Sequence, residues 1–238
     1  MKAKTTFADH AIALNEHLAT LGDRAARLPS GNRMMNPFAR GEALPISADF
    51  YRKYYADTRP RRLILGINPG RLGAGLTGVP FTDSHRLADP LGIDSRGITT
   101  REPSSVFIYE VVRAWGGASA FYGDFYINSP LPLGLVKKNP RGNWVNCNYY
   151  ETKALTRAVQ PLIDEAMSRY MSMPILRDVA WCLGMGKNSE YLQALNAERG
   201  YFGEIIPLPH PRYVVQYQSR HTERHLREFI EKLSISRP

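Results

Sequence analysis

Apolar side chains recur along this chain with helical and with strand-like spacing, and the switches between the two lay out its elements. Phe7, Ala11, Leu14, Leu18 and Leu21 fall one helical turn apart and stop at Gly22, which predicts an amphipathic first helix. A Pro/Gly/Asn-rich connection containing Asn36-Pro37-Phe38 follows, so residues 1–35 form an N-terminal helix and the start of a linker. A short helix near 48–55 leads to an apolar strand at 62–67. Residues 70–101 are dense in Gly, Thr, Pro and Asp with weak periodicity, as long functional loops are. Glu102-Pro103-Ser104-Ser105 opens a helix with Phe107, Ile108, Val111, Val112 and Trp115 on one face. Further strands are expected at 125–128, 179–183 and 204–208. Helices are expected at 149–171, kinked at Pro161, at 189–197, and at 222–233 with Leu226, Phe229, Ile230 and Leu233 buried.

Short apolar strands alternating with helices predict an α/β fold. The expected form is a three-layer α/β/α arrangement around a central, mainly parallel four-stranded sheet. With 238 residues, 43% of them hydrophobic, the chain can bury one core, and residues 1–238 are expected to form a single domain. No run approaches the roughly 20 apolar residues that span a bilayer. The N-terminus lacks the apolar stretch of a signal peptide, so a cytoplasmic protein without membrane contact is expected.

The net charge of +9 and a pI near 9.6 suit a polyanionic partner. The basic side chains are scattered through Arg24, Arg27, Arg33, Arg40, Arg59, Arg61, Arg62, Lys137, Lys138, Arg141, Arg220, Arg224 and Arg227. Cys147 and Cys182 are too few for a four-thiolate cluster and form no C-x-x-C pair, and Cys182 sits in an apolar run typical of core.

Candidate chemistry gathers where strands end, which is where parallel sheets bind ligands. The first strand runs into Gly66-Ile67-Asn68-Pro69-Gly70, a tight turn that holds one amide at its mouth. Thr77-Gly78-Val79-Pro80-Phe81 then delivers an aromatic ring. Asn128 ends the second strand, and Pro209-His210-Pro211 follows the last. An amide pair, a ring and an imidazole can together hold one flat polar heterocycle. Cleaving the glycosidic bond of a deoxyuridine requires a donor aimed at O2 of the departing uracil anion, and His210 as a neutral imidazole fits that task. The carbonyl oxygen of Asn68 can orient a water beneath C1′. Asn128 matches uracil N3–H and O4, whereas cytosine presents the opposite pattern. Phe81 would stack on an extruded base. Gly70, Gly73, Gly75 and Gly78 allow close approach of backbone. Gly184-Met185-Gly186 is only half of a dinucleotide fingerprint. His221 and His225 stand four residues apart without the metalloprotease pattern between them, which predicts a solvated helix face.

These motifs together resemble the uracil-DNA glycosylase superfamily, with the single-strand-selective monofunctional (SMUG-type) branch the nearest match and its bacterial SMUG-like subgroup in particular. The resemblance rests on Gly66-Ile67-Asn68-Pro69-Gly70, Thr77-Gly78-Val79-Pro80-Phe81 and His210-Pro211. Tyr126-Ile127-Asn128-Ser129-Pro130-Leu131, Gly184-Met185-Gly186 and Asn36-Pro37 echo it, so that it covers most of residues 36–233. It implies that Asn68 positions water, His210 stabilises the uracil anion, Phe81 stacks and Asn128 reads the base, with Gly66, Ile67 and Gly70 around it. It also implies a monomer acting on uracil-containing DNA, single- or double-stranded, without metal or cofactor, in the cytoplasm with the bacterial nucleoid. The usual His-Pro-Ser-Pro is here His210-Pro211-Arg212-Tyr213, which leaves Arg212, Tyr213 and Gln216 as the wedge residues that enter the helix. Arg71 replaces a common Pro and can meet a phosphate. The rival readings are a mismatch-type glycosylase acting on thymine or ethenocytosine, against which His210 argues, and a silent nucleic-acid-binding module.

Overall fold

The computed structural model describes residues 4–22, 25–39 and 41–235; Arg24 and Arg40 lie outside them. Its strands are, in chain order, β1 (Asn32–Met35), β2 (Arg62–Leu65), β3 (Phe125–Asn128), β4 (Gly134–Lys138), β5 (Trp144–Asn146), β6 (Val179–Leu183) and β7 (Glu204–Leu208). The central sheet has the order β3-β2-β6-β7 with every neighbour parallel. The apolar runs explain this. β2, β3 and β6 are buried almost throughout, as strands covered on both faces must be. The chain steps from β2 to β3, then crosses back over β2 to β6 and β7. Right-handed crossovers in opposite directions place their helices on opposite faces of the sheet. The switch point, between β2 and β6, opens at the carboxyl ends of the strands.

Lys153–Ser172 carries Pro161 within it and starts four residues later than the periodicity suggests, after a Thr152 cap whose Oγ1 accepts from Leu155 N–H. Phe7–Thr20 is closed by a reciprocal capping box between Thr6 and Asp9 and packs on Ala43–Tyr54. Between them and β3 lies an aromatic cluster that includes Phe7, Phe50, Tyr51, Tyr55 and Tyr126.

Arg61 does not belong to the surface charge. It is fully buried in this cluster, donates to Tyr122 O and Asp57, and stacks over Phe7 and Tyr55. Its guanidinium holds the Asp57 carboxyl well below the usual carboxylate range.

Three expectations are corrected. Residues 70–101, read as a long loop, carry two short helices, Ala74–Thr77 and Ser84–Ala88. A second sheet also exists, with β4 in the centre of an antiparallel β1-β4-β5 arrangement. The linker residues 32–35 and the basic segment after β3 build it. His225 is likewise not on a solvated face. It is buried on Thr222–Ser234 with Glu228 beside Nδ1, while His221 is exposed in the preceding turn.

Candidate active site

One cavity of about 570 Å³ opens at the switch point, and Asn68, Phe81, Asn128 and His210 all line it. Ile67, Gly70, Arg71 and Arg212 share its wall. Gly66 lies behind the wall: a Cβ there would come within 3.1 Å of the Phe81 ring, so glycine leaves that ring its room. Tyr213 and Gln216 stay outside the cavity, exposed on Pro211–Tyr217 immediately beyond His210. The four residues thus arrive on four separate stretches, three of them at the ends of β2, β3 and β7.

Each side chain is aimed by backbone. Asn68 Oδ1 accepts from Tyr149 N–H at 3.2 Å and its Nδ2 donates to Cys147 O at 3.1 Å. The segment after β5 therefore clamps the amide in one orientation, with Nδ2 also reaching Pro69 O at 3.5 Å, and leaves one lone pair of Oδ1 for a ligand. Asn128 is fixed the same way: Oδ1 accepts from Ser129 N–H at 2.8 Å, and Nδ2 donates to Tyr126 Oη at 2.7 Å. Because an N–H can only donate, Ser129 decides which end of the Asn128 amide is oxygen. One acceptor site and one donor site are left over.

His210 caps Pro211–Tyr217, and its Nδ1 accepts from Arg212 N–H at 3.2 Å. The ring proton therefore sits on Nε2. Burial, with the Arg212 charge adding to it, pushes the imidazole down to about 4, so the ring is neutral at pH 7. The Phe81 and His210 ring centroids stand 6.0 Å apart at 53°. Phe81 itself has φ +53°, a left-handed conformation that costs a non-glycine residue roughly 1–3 kcal/mol and recurs where side chains serve ligands.

Several contributors carry no signal in a single sequence. Asn188 is buried and donates through Nδ2 to Gly66 O at 3.1 Å and Leu183 O at 3.0 Å, while its Oδ1 accepts from Tyr149 Oη at 2.7 Å. It braces the ends of β2 and β6 against the segment that clamps Asn68. Asn146 Oδ1 accepts from Arg71 N–H at 3.0 Å and ties the Gly70 turn to β5. Glu102 also lines the cavity. Burial, reinforced by the nearby Asp83, pushes its carboxyl up to about 8 against the opposing pull of Ala74 N–H and Arg212. Only Gly66-Gly70-type turn chemistry marked this region beforehand, since an Asn on a helix or a Glu at a helix start is common in any protein.

Among the described residues no three His, Cys, Asp or Glu side chains gather as metal ligands would, and no helix is long and apolar enough to cross a membrane. A family model for the uracil DNA glycosylase superfamily matches residues 52–234. No curated protein matches the sequence. Among solved structures, the crystal structure of wild-type Pedobacter heparinus SMUG2 superposes with a TM-score of 0.92 at 44% identity, covering 98% of each chain. On these two matches the chain belongs to the SMUG-type branch of the uracil DNA glycosylase superfamily.

Proposed function

We propose that this single-domain protein is a monofunctional DNA glycosylase that extrudes uracil from DNA and hydrolyses its glycosidic bond, leaving an abasic site for base excision repair. The observation that carries the reading is the free edge of Asn128, one acceptor and one donor in fixed order, facing the same cavity as a neutral His210. Uracil offers N3–H and O4 in the matching order. Cytosine offers the reverse and leaves two buried polar groups unpaired, which discriminates strongly.

Water held by Asn68 adds at C1′ as the C1′–N1 bond breaks. The bonding electron pair leaves with the base and spreads onto O2 and O4, and the water's proton passes to solvent. His210 Nε2–H meets the charge at O2, and Phe81 stacks on the ring. Because the leaving group is itself a stabilised anion, neither metal nor cofactor is required. Arg71, Arg212, Tyr213 and Gln216 stand at or beyond the cavity mouth, where the flanking strand and the vacated stack would lie.

Incubation with a uracil-containing oligonucleotide in EDTA, followed by alkali, should cut the strand at uracil and leave it intact before alkali. Asn68→Ala and His210→Ala should each lose most excision, about a hundred- to a thousandfold for His210, while still binding DNA. A strand that alkali leaves whole would make the chain a binder on a glycosylase fold. A panel carrying 5-hydroxymethyluracil, thymine opposite guanine and ethenocytosine then places the substrate range.

A further inference from the structure

The accessory sheet has one face whose make-up the base cavity does not require. By strand register, Arg33 of β1 stands beside Val136 of β4, which pairs with Asn146 of β5, while Lys138 pairs with Trp144. Alternation then puts Arg33, Lys138, Trp144 and Asn146 on a common face. The three strands contain no Asp or Glu, and Arg141 lies in the turn joining β4 to β5. Trp144 is 37% exposed, with the Lys138 ammonium 5.6 Å and the Arg33 guanidinium 5.9 Å from its ring centroid. The other tryptophans, Trp115 and Trp181, are buried.

This face is continuous with the cavity. Asn146 and Val145 line the cavity, and Asn146 binds the Gly70–Arg71 turn. Trp144 lies two residues further along β5 on the Asn146 side, roughly 7 Å away along the strand. A solvated indole flanked by two cations, beside an opening that takes one nucleotide, suits the next part of the same strand. Cations meet the phosphates, and the ring stacks on a base that is not paired.

We propose that Trp144, with Arg33 and Lys138, is a platform for a single-stranded DNA segment adjoining the target nucleotide, with Trp144 stacking on an unpaired base. The proposal deepens the glycosylase reading and rests on it for the choice of DNA as partner.

Titrating the protein with a uracil-free single-stranded oligonucleotide should quench tryptophan emission, and a fully paired duplex should not. Trp144→Phe should abolish the quenching yet keep most of the single-strand affinity, because a ring is still present. Trp144→Ala should weaken single-strand affinity roughly tenfold and leave duplex affinity in place. Unchanged emission with bound single strand, or Trp144→Ala affinity equal to wild type, would overturn the platform. Quenching by duplex to the same extent would overturn the unpaired-base assignment. The oligonucleotide carries no uracil, so the two readings fail separately. Quenching without excision of uracil in the alkali assay removes the glycosylase activity alone, and excision without quenching removes the platform alone.

Discussion

His210 shows how a single backbone hydrogen bond assigns chemistry to a ring. Arg212 N–H occupies Nδ1, so the proton must ride on Nε2, and a proton added at Nδ1 would face another donor. Protonation therefore disrupts the capped turn, and burial sets the pH at which this happens, about 4. Glu102 sets the opposite limb. It is uncharged below about 8, and ionising it would place a negative charge in the wall of a pocket from which, in the proposed reaction, an anion departs. Single-turnover excision should accordingly stay level from roughly pH 5 to 7, fall as pH drops through about 4, and fall again as pH rises through about 8. Glu102→Gln should flatten the alkaline limb and leave the acid limb in place. An inflection near the ordinary imidazole value would mean that His210 titrates as a solvated ring, and its assigned role would not survive. The four cavity residues were legible from sequence because Asn68, Asn128 and His210 end or follow strands and Phe81 follows Gly78-Val79-Pro80, stretches where turn chemistry is conspicuous. Their orienting partners were not, because Tyr149 N–H, Cys147 O and Ser129 N–H are main-chain groups that every residue possesses.

At the scale of elements, the readable strands were those buried on both faces. Leu63, Ile64 and Leu65, or Ala180, Trp181 and Cys182, leave no polar position to mask the run. The accessory sheet escaped for the opposite reason. β1, β4 and β5 mix Arg33, Lys138 and Trp144 with a few buried positions and are held by pairings some hundred residues apart in β1 and β4, which no local window contains. The helices Ala74–Thr77 and Ser84–Ala88 are too short to show a period. The buried Asn188 ties the ends of the central strands to the segment after β5, its hydrogen bonds ending on Gly66, Leu183 and Tyr149. Truncating it leaves two carbonyls and a hydroxyl unpaired in the interior. Asn188→Ala should therefore cost roughly 2–3 kcal/mol in urea unfolding, and it should slow excision further at temperatures where the fold is intact, because the Asn68 clamp loosens. A loss within a few tenths of a kcal/mol of zero would show that the brace is relieved by water or by rearrangement.

For the whole molecule, the sign of the charge was legible from composition but its placement was not. Arg61 is consumed inside the core, Arg62 faces Asp178, and Lys137 faces Glu151. The cations left near the cavity include Arg71 on its rim, Arg212 on its wall, and Arg33 and Lys138 across the accessory sheet. A partner held by such a distribution is held through its phosphates, and binding then releases counterions. On duplex DNA each neutralised phosphate lowers affinity about 3.5-fold for a fourfold rise in salt. KM for a uracil-containing duplex should thus climb steeply with salt, whereas excision at saturation should hold nearly constant, because the Asn68, Asn128 and His210 contacts sit inside the cavity and are little screened. Arg71 is the sharpest test of where the backbone runs. Its main-chain N–H serves Asn146 while its side chain is exposed at the rim, so Arg71→Gln preserves the turn and removes only the charge. The slope of log affinity against log salt should become shallower by about 0.9 in that variant. An unchanged slope would route the phosphates away from the Gly70 turn and toward the Arg212 side of the opening.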